Sequence, residues 1–373
     1  MKYYIIAGEA SGDMHASALM RALKLLDDKA EFRCWGGDLM KKEGGIIVKH
    51  YLDLAFMGFA EVLMHLRAIL DNIAFCKKDI TGFKPDAVIL IDYPGFNLRI
   101  AEFAHRKGYK VFYYISPQVW AWKASRITLI RKVVDRMFVI LPFEKDFYAK
   151  RGYDVTFTGH PLLDMISARR IGTAAGVSFR EKYRLDDRPV VALLPGSRIQ
   201  EISRMLPLMA GVQKEFPDCR FVVAAAPGVN TGIYKKILHN GDIKIVEGVT
   251  YDLLENASAA LVTSGTATLE TALFGVPQVV CYKGNVLSYM LARVLVKVKY
   301  ISLVNLIMNR EVVKELIQAD LNHENLCIEL RAVLSAGAAR EEMLRAYREL
   351  AARLGGPGAS ARTASEIYKL MTS

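Results

Sequence analysis

Residues 261–280, LVTSGTATLETALFGVPQVV, restrict the fold more than any other stretch of the chain. A β-rich apolar run (Ala259–Thr263) meets the polar turn Ser264, Gly265 and Thr266, then a short helical pattern, Gly275, Pro277 and a second apolar run. Gly275 is the residue type that stops a helix, and Pro277 keeps it from resuming. Two such strands joined through one helix run parallel, because the helix carries the chain back to the starting edge of the sheet. Gly265 lets the chain turn tightly, and Ser264 or Thr266 can cap the helix. Its first N–H groups, reinforced by the helix dipole, make a seat for phosphate. Glu270 lies four residues beyond Thr266, off the three-residue spacing of a capping box, which leaves its carboxylate open to a ribose diol. An ordinary strand–helix–strand unit with an exposed glutamate accounts for the same residues equally well.

The alternation runs through most of the chain. Strands are predicted at Tyr3–Ala7, Phe32–Trp35, Ala87–Ile91, Lys110–Ile115, Arg136–Ile140 and Asp154–Phe157. Helical patterns at His15–Leu26, Phe59–Cys76, Asn97–Arg106, Ala124–Val134 and Phe143–Lys150 separate them. The scheme restarts at Val190–Leu194 and continues with strands near Arg220–Ala225, Ile243–Val246, Ala259–Thr263 and Gln278–Tyr282. Short β-rich runs between helices mean parallel, doubly wound sheets. The polar segment Ser167–Pro189 reads as a linker, and the chain beyond Tyr282 turns helical. A Gly355-Gly356-Pro357-Gly358 break precedes a last helix over Ala361–Met371. The expected fold is α/β: two tandem Rossmann-like doubly wound domains facing across a cleft, with a helical C-terminal tail. The expected domains are 1–170, joined by the C-terminal helix 359–373, and 171–358. Ligands of open α/β sheets bind beyond the carboxyl ends of the strands, so the loops there are the ones to read.

Composition narrows the partners. A chain of 373 residues with 52% hydrophobic and 24% charged residues is globular and can hold two cores. A net charge of +11 points to anionic partners such as nucleic acid, acidic lipid or phosphorylated substrates. The five cysteines are scattered with no C-x-x-C, and no H-E-x-x-H occurs among the seven histidines, so no metal site is expected. The N-terminus shows no signal-peptide pattern and no uncharged apolar run reaches the roughly 18 residues of a membrane span. A reduced cytosolic compartment is the expectation, with the protein soluble or peripheral.

The first loop is Gly8-Glu9-Ala10-Ser11-Gly12-Asp13. It is not the dinucleotide fingerprint G-x-G-x-x-G, which disfavours a nicotinamide oxidoreductase. Gly8 and Gly12 still permit close approach of a ligand, and Glu9 and Asp13 add carboxylates; a turn with a helix cap is the plainer reading. Strand Ala87–Ile91 runs into Asp92-Tyr93-Pro94-Gly95-Phe96-Asn97, where a carboxylate at a strand end suits a general base. Capping the next helix is the alternative for Asp92, and Asn97 could do that instead. Ala55–Leu63, with Met57 and Phe59, feeds a helix as core or as an acyl- or bilayer-facing patch. Gln118, Trp120 and Trp122 lie in one loop, followed by the basic residues Lys123, Arg126, Arg131 and Lys132. Paired loop aromatics beside positive charge suit an anionic lipid surface, and aromatics so placed argue against nucleic acid. In the second half Gly196-Ser197-Arg198 follows a buried strand, and Arg198 can pair with phosphate. With Ser264, Gly265, Thr266 and Glu270 it composes a diphosphate-and-ribose site. No Asp-x-Asp metal clamp occurs, so leaving-group charge falls to Arg198 and helix N-termini.

Taken together, IAGEASGD, AFMGFAEVL, IDYPGFN, YYISPQVWAWK, LPFEKDFY, TGHPL, LLPGSR, SGTATLE with FGVPQVV, and YISLVNLI resemble the lipid-A-disaccharide synthases in order and over nearly the whole chain. That resemblance implies an inverting glycosyltransferase of the two-domain B-type fold. Its reaction joins UDP-2,3-diacylglucosamine to 2,3-diacylglucosamine 1-phosphate (lipid X), giving the β-1′,6-linked disaccharide 1-phosphate and UDP. It further implies no metal or other cofactor, and a peripheral place on the inner face of the inner membrane of a Gram-negative cell. For some members it implies homodimers with exchanged C-terminal segments. The motifs assign Arg198, Ser197, Gly196, Ser264, Gly265, Thr266, Glu270 and Asn305 to the UDP-sugar. They assign Gly8, Ser11, Gly12, Met57, Phe59, Asn97, Gln118, Trp120, Trp122 and Arg126 to the acceptor or its lipid. One departure bears on catalysis: family members often have a second aspartate where this chain has Gly95. The base expected here is therefore Asp92, with Asp13 and Glu9 in reserve. Rival readings are another UDP-sugar enzyme of the same architecture, a peptidoglycan-type transferase or an epimerase, and a non-catalytic UDP-sugar sensor.

Overall fold

The computed structural model describes residues 1–54, 66–119, 126–172, 178–239, 242–284 and 299–373. Met57, Phe59, Trp120 and Trp122, with the start of the helix expected from Phe59, lie outside them. The chain divides into two compact units, Met1–Asp164 with Leu354–Ser373, and Met165–Arg353.

The first unit is built on a seven-stranded sheet, β1 (Lys2–Ala7), β2 (Glu31–Gly36), β3 (Ile46–His50), β4 (Ala87–Ile91), β5 (Lys110–Tyr114), β6 (Arg136–Val139) and β7 (Thr156–Phe157). Its order is β3-β2-β1-β4-β5-β6-β7, parallel throughout. Helices on both faces explain the uninterrupted apolar runs of β1 and β4. Tyr4 and Ile6 point into one core while Tyr3, Ile5 and Ala7 point into the other. The buried Tyr4 hydroxyl accepts from Trp35 Nε1 (2.7 Å) and donates to Asp79 (2.8 Å), so burial leaves it satisfied. The C-terminal helix Ala359–Thr372 places Ala364 and Ile367 in the core that also holds Leu19 and Leu23 of helix Ala10–Lys24. Its start is capped from afar, because the Asp164 carboxylate accepts the N–H groups of Gly358, Ala359 (3.0 Å) and Ser360 (2.9 Å).

The second unit repeats the plan with β8 (Val190–Leu194), β9 (Arg220–Ala225), β10 (Lys244–Glu247), β11 (Ala257–Thr263), β12 (Gln278–Tyr282) and β13 (Lys314–Ile317), ordered β10-β9-β8-β11-β12-β13 and again parallel. In each sheet the strand order reverses beside the first strand, between β1 and β4 and between β8 and β11. Ligands of such sheets bind at that switch point. The loops after these four strands are the ones the sequence singled out.

Three sequence expectations need correction. Edge strands β3 and β13 were not predicted: Lys-Glu-Leu-Ile of β13 carries two charges and does not read as a buried run, whereas β3 holds the short apolar run Ile46-Ile47-Val48, which the sequence reading passed over. The segment expected to be a linker is largely helical where described. Helix Pro161–Gly172 enters it, and Phe179–Tyr183 begins with a Ser178–Glu181 capping box and buries Phe179 in the second core.

Candidate functional site

In the first unit the loops after β1 and β4 interlock. Gly8 lies under the Tyr93 ring, whose atoms would come within 2.4 Å of a Cβ there, and Gly12 packs its helix onto Ala7. The close approaches these glycines permit are thus internal. Asp92 and Tyr93 both adopt left-handed backbone (φ 44 and 48). The turn is held by its surroundings: Asn97 Nδ2 donates to the Ile91 (3.1 Å) and Asp92 (2.7 Å) carbonyls, and the Tyr113 hydroxyl donates to Asp92 O at 2.5 Å. Asn97 is fully buried inside helix Pro94–Arg106 rather than at its cap, which is Tyr93.

Burial, and then the nearby charge of Glu9, push the Asp92 carboxyl up to about 6, although the Tyr93 N–H opposes this. A carboxylate so placed is a better proton acceptor near neutral pH than an ordinary aspartate. Glu9, the exposed N-cap residue of helix Ala10–Lys24, faces the same turn, and Ser11 is exposed in the first turn of that helix. Arg126, at the start of helix Arg126–Val133, acts by its charge on the Tyr113 hydroxyl, and Gln118 is exposed beyond β5. Gly95 is exposed in the first turn of its helix, and among the described residues a Cβ there would meet nothing within 4 Å. Asp13 is engaged elsewhere. Its carboxylate is 3% exposed and accepts the N–H groups of Gly37 (2.7 Å), Leu39 (3.1 Å) and Met40 (3.1 Å), capping helix Asp38–Lys42.

In the second unit Gly196 takes a left-handed φ of 110, and Arg198 is the exposed N-cap residue of helix Ile199–Gly211. Glu201, which the sequence reading passed over, organises this loop. Its carboxylate accepts the N–H groups of Ser197 (3.1 Å) and Arg198 (3.3 Å) and faces the Arg198 guanidinium at 3.6 Å. The three-residue spacing from Arg198 was the legible signal.

The loop after β11 departs from expectation in its cap. Gly265 is the N-cap of helix Thr266–Leu273, with no side-chain cap; Ser264 Oγ instead donates to the Ile301 carbonyl at 2.9 Å. Gly265 is extended, and among the described residues a Cβ on it would meet nothing within 4 Å. Gly275 ends the helix with φ 75, as the sequence indicated. Glu270 is half-buried, and burial raises its pKa against the pull of a hydrogen bond from Tyr251, which stacks on Phe274. Its carboxylate therefore has a protein partner in Tyr251 and is not wholly free.

Asn305 is fully buried with its carboxamide occupied on both sides. Oδ1 accepts from Val312 N (2.7 Å) and Val313 N (3.0 Å), while Nδ2 donates to Val313 O (2.8 Å) and Glu315 (2.9 Å). Among the described residues no three His, Cys, Asp or Glu side chains converge as metal ligands would.

Residues 3–364 match the family model described as lipid-A-disaccharide synthetase. The chain belongs to that family. Relatives named lipid-A-disaccharide synthase include one from Syntrophus aciditrophicus, 42% identical over 96% of this chain and 95% of its own length. Another, from Myxococcus xanthus, is 37% identical over 98% and 97%. This member of the lipid-A-disaccharide synthetases is accordingly a glycosyltransferase of lipid A disaccharide synthesis. Among solved structures, a putative UDP-N-acetylglucosamine 2-epimerase from Listeria monocytogenes aligns with a TM-score of 0.69 at 16% identity, covering 100% of this chain and 96% of that one. The glycotransferase of kitacinnamycin aligns at 0.66 and 14%, covering 99% of each. At such identities these likenesses establish the shared fold, that of B-type glycosyltransferases, and nothing finer.

Proposed function

We propose that the enzyme transfers the sugar of UDP-2,3-diacylglucosamine to the 6-hydroxyl of lipid X by single displacement. Asp92 takes the hydroxyl proton as that oxygen attacks the anomeric carbon; the bond from that carbon to the UDP oxygen breaks, and UDP leaves with the electron pair. Attack from the face opposite UDP inverts the centre and gives the β linkage. Arg198 and the N–H groups at the start of helix Thr266–Leu273 receive the growing diphosphate charge, and Glu270 the ribose. Glu9 raises the basicity of Asp92, and Asp13 is a structural cap. The observation that carries this reading is the half-buried Asp92 at the switch point, with its carboxyl pushed up to about 6.

The lipid-bearing acceptor would lie on the first unit, with Met57, Phe59, Trp120 and Trp122 against acyl chains and Arg126 near the phosphate. No described helix is long and apolar enough to cross a membrane. The exposed Arg131 and Lys132 and the charge of +11 support peripheral binding to the cytoplasmic face of an anionic inner membrane. A homodimer exchanging the C-terminal segment would satisfy the Asp164 cap between copies instead of within one.

UDP release from UDP-diacylglucosamine, measured with and without lipid X, tests the reaction. Release should require lipid X and fall at least about 10²-fold in Asp92→Asn, the usual worth of a positioned base. Turnover of donor alone would favour an epimerase, and near-native release by Asp92→Asn would remove Asp92 as the base.

A further inference from the structure

Glu315 sits on the edge strand β13, far in sequence from every residue of the nucleotide loops, yet its carboxylate gathers four donors. Oε1 accepts from Ser302 N (2.9 Å), Ser302 Oγ (2.7 Å) and Asn305 Nδ2 (2.9 Å), and Oε2 accepts from Ile301 N (3.0 Å). The other side of the same peptide is also held, because the Ile301 carbonyl accepts Ser264 Oγ at 2.9 Å. Ser264 N in turn donates to the Cys281 carbonyl at 3.2 Å. The Ile301–Ser302 segment is therefore clamped between Glu315 and the residue that precedes the N-cap of helix Thr266–Leu273. Asn305 ties the far end of the clamp to Val312 and Val313, just before β13.

We propose that Glu315 is a positioning residue for donor binding, and that Asn305 acts through it rather than by touching the UDP-sugar. The inference rests on Ser264–Thr266 being the diphosphate seat. A hydroxyl donating to a fixed carbonyl has a fixed rotamer, and the adjacent helix start is held with it. A carboxylate near a phosphate would ordinarily repel it, but one already receiving four hydrogen bonds has its charge largely answered within the protein. The Asn305 carboxamide offers a ligand neither donor nor acceptor, since both its N–H groups and both lone pairs of its oxygen are already engaged.

Calorimetric binding of UDP, with donor KM and kcat, separates positioning from mere stability. The proteins compared are the native chain, Glu315→Gln, Ser264→Ala, their double variant and Arg198→Ala. Glu315→Gln turns an acceptor into an N–H group facing Ile301 N. It should raise the Kd for UDP and the donor KM about tenfold, as expected for a lost hydrogen bond to a charged group, with kcat changed far less. The double variant should be little worse than the weaker single one, because both substitutions break one linkage. Native UDP affinity in Glu315→Gln, or fully additive losses, would overturn the proposal while an affected Arg198→Ala left the seat intact. Absence of UDP binding by the native chain would overturn the seat and the proposal together. Should Glu315→Gln fail to fold, Ser302→Ala carries the test: it removes one donor to Glu315 and leaves the seat residues unchanged, and native affinity there would equally overturn the inference.

Discussion

Asp92 and Tyr93 sit consecutively in left-handed backbone, each at a cost of roughly 1 kcal/mol or more for a residue with a side chain. The Asn97 amide and Tyr113 hydroxyl converge on the Asp92 carbonyl, and the Tyr93 ring is seated on Gly8. Such over-determination keeps a strained turn populated and aims its carboxylate. Two causes raise the Asp92 pKa, burial first and the Glu9 charge second, and they can be separated. Lowering the pH through 6 should protonate Asp92 and depress kcat/KM, giving an acid limb near that value. In Glu9→Gln one of the two causes is gone, so the limb should move to lower pH while turnover on its plateau persists. A pH–rate profile of the two proteins checks this, and an unmoved limb would detach Glu9 from the base.

Among the elements, the C-terminal helix Ala359–Thr372 depends most on a residue distant in sequence. The Asp164 carboxylate supplies the cap that Gly358, without a side chain, cannot. Arg362 reinforces it by donating to the Thr158 and Pro357 carbonyls, both at 2.8 Å, and the Thr363 and Thr158 hydroxyls are hydrogen-bonded at 3.0 Å. Asp164→Ala leaves three N–H groups without their acceptor and should destabilise the protein by about 1–2 kcal/mol, the range for a lost N-cap. Urea unfolding should show it, with earlier proteolytic cleavage near Gly355–Gly358. An unchanged midpoint would mean that helix packing alone secures the segment.

At the scale of the whole molecule, two buried histidines of the first unit make stability sensitive to acid. Burial pushes His15 down to about 4 and His160 down to about 3, the nearby Asp164 charge resisting the first and the His15 charge adding to the second. Both imidazoles are therefore neutral in the folded state over a range where the unfolded chain, titrating near 6.5, binds protons. The unfolded state gains the protons, so stability is fully present above pH 6.5 and falls as pH drops toward 4. Its slope is up to about 1.4 kcal/mol per pH unit for each imidazole. His15→Gln with His160→Asn should flatten that slope in urea titrations at pH 6.5 and 4.5, even if stability at pH 7 is lower. An identical slope would place the acid sensitivity elsewhere.

The sequence by itself determined the α/β class, both sheets' central strands and the four loops at the switch points. These follow from local chemistry: uninterrupted apolar runs need two covered faces, and glycine, proline and short polar residues mark where strands end. Gly275 stopping its helix and Asp92 closing β4 were legible for the same reason. Only the tertiary structure decided what those loop residues touch. It turned Gly8 toward Tyr93, Asp13 toward the Gly37–Met40 backbone, Asn305 toward Val312, Val313 and Glu315, and Ser264 toward Ile301. Edge strand β13 escaped a reading that looks for uninterrupted apolar runs, because Lys314 and Glu315 put two charges into its four residues. Glu315 escaped with β13. A carboxylate's partners are set by which strands lie side by side, and no spacing along the chain encodes that.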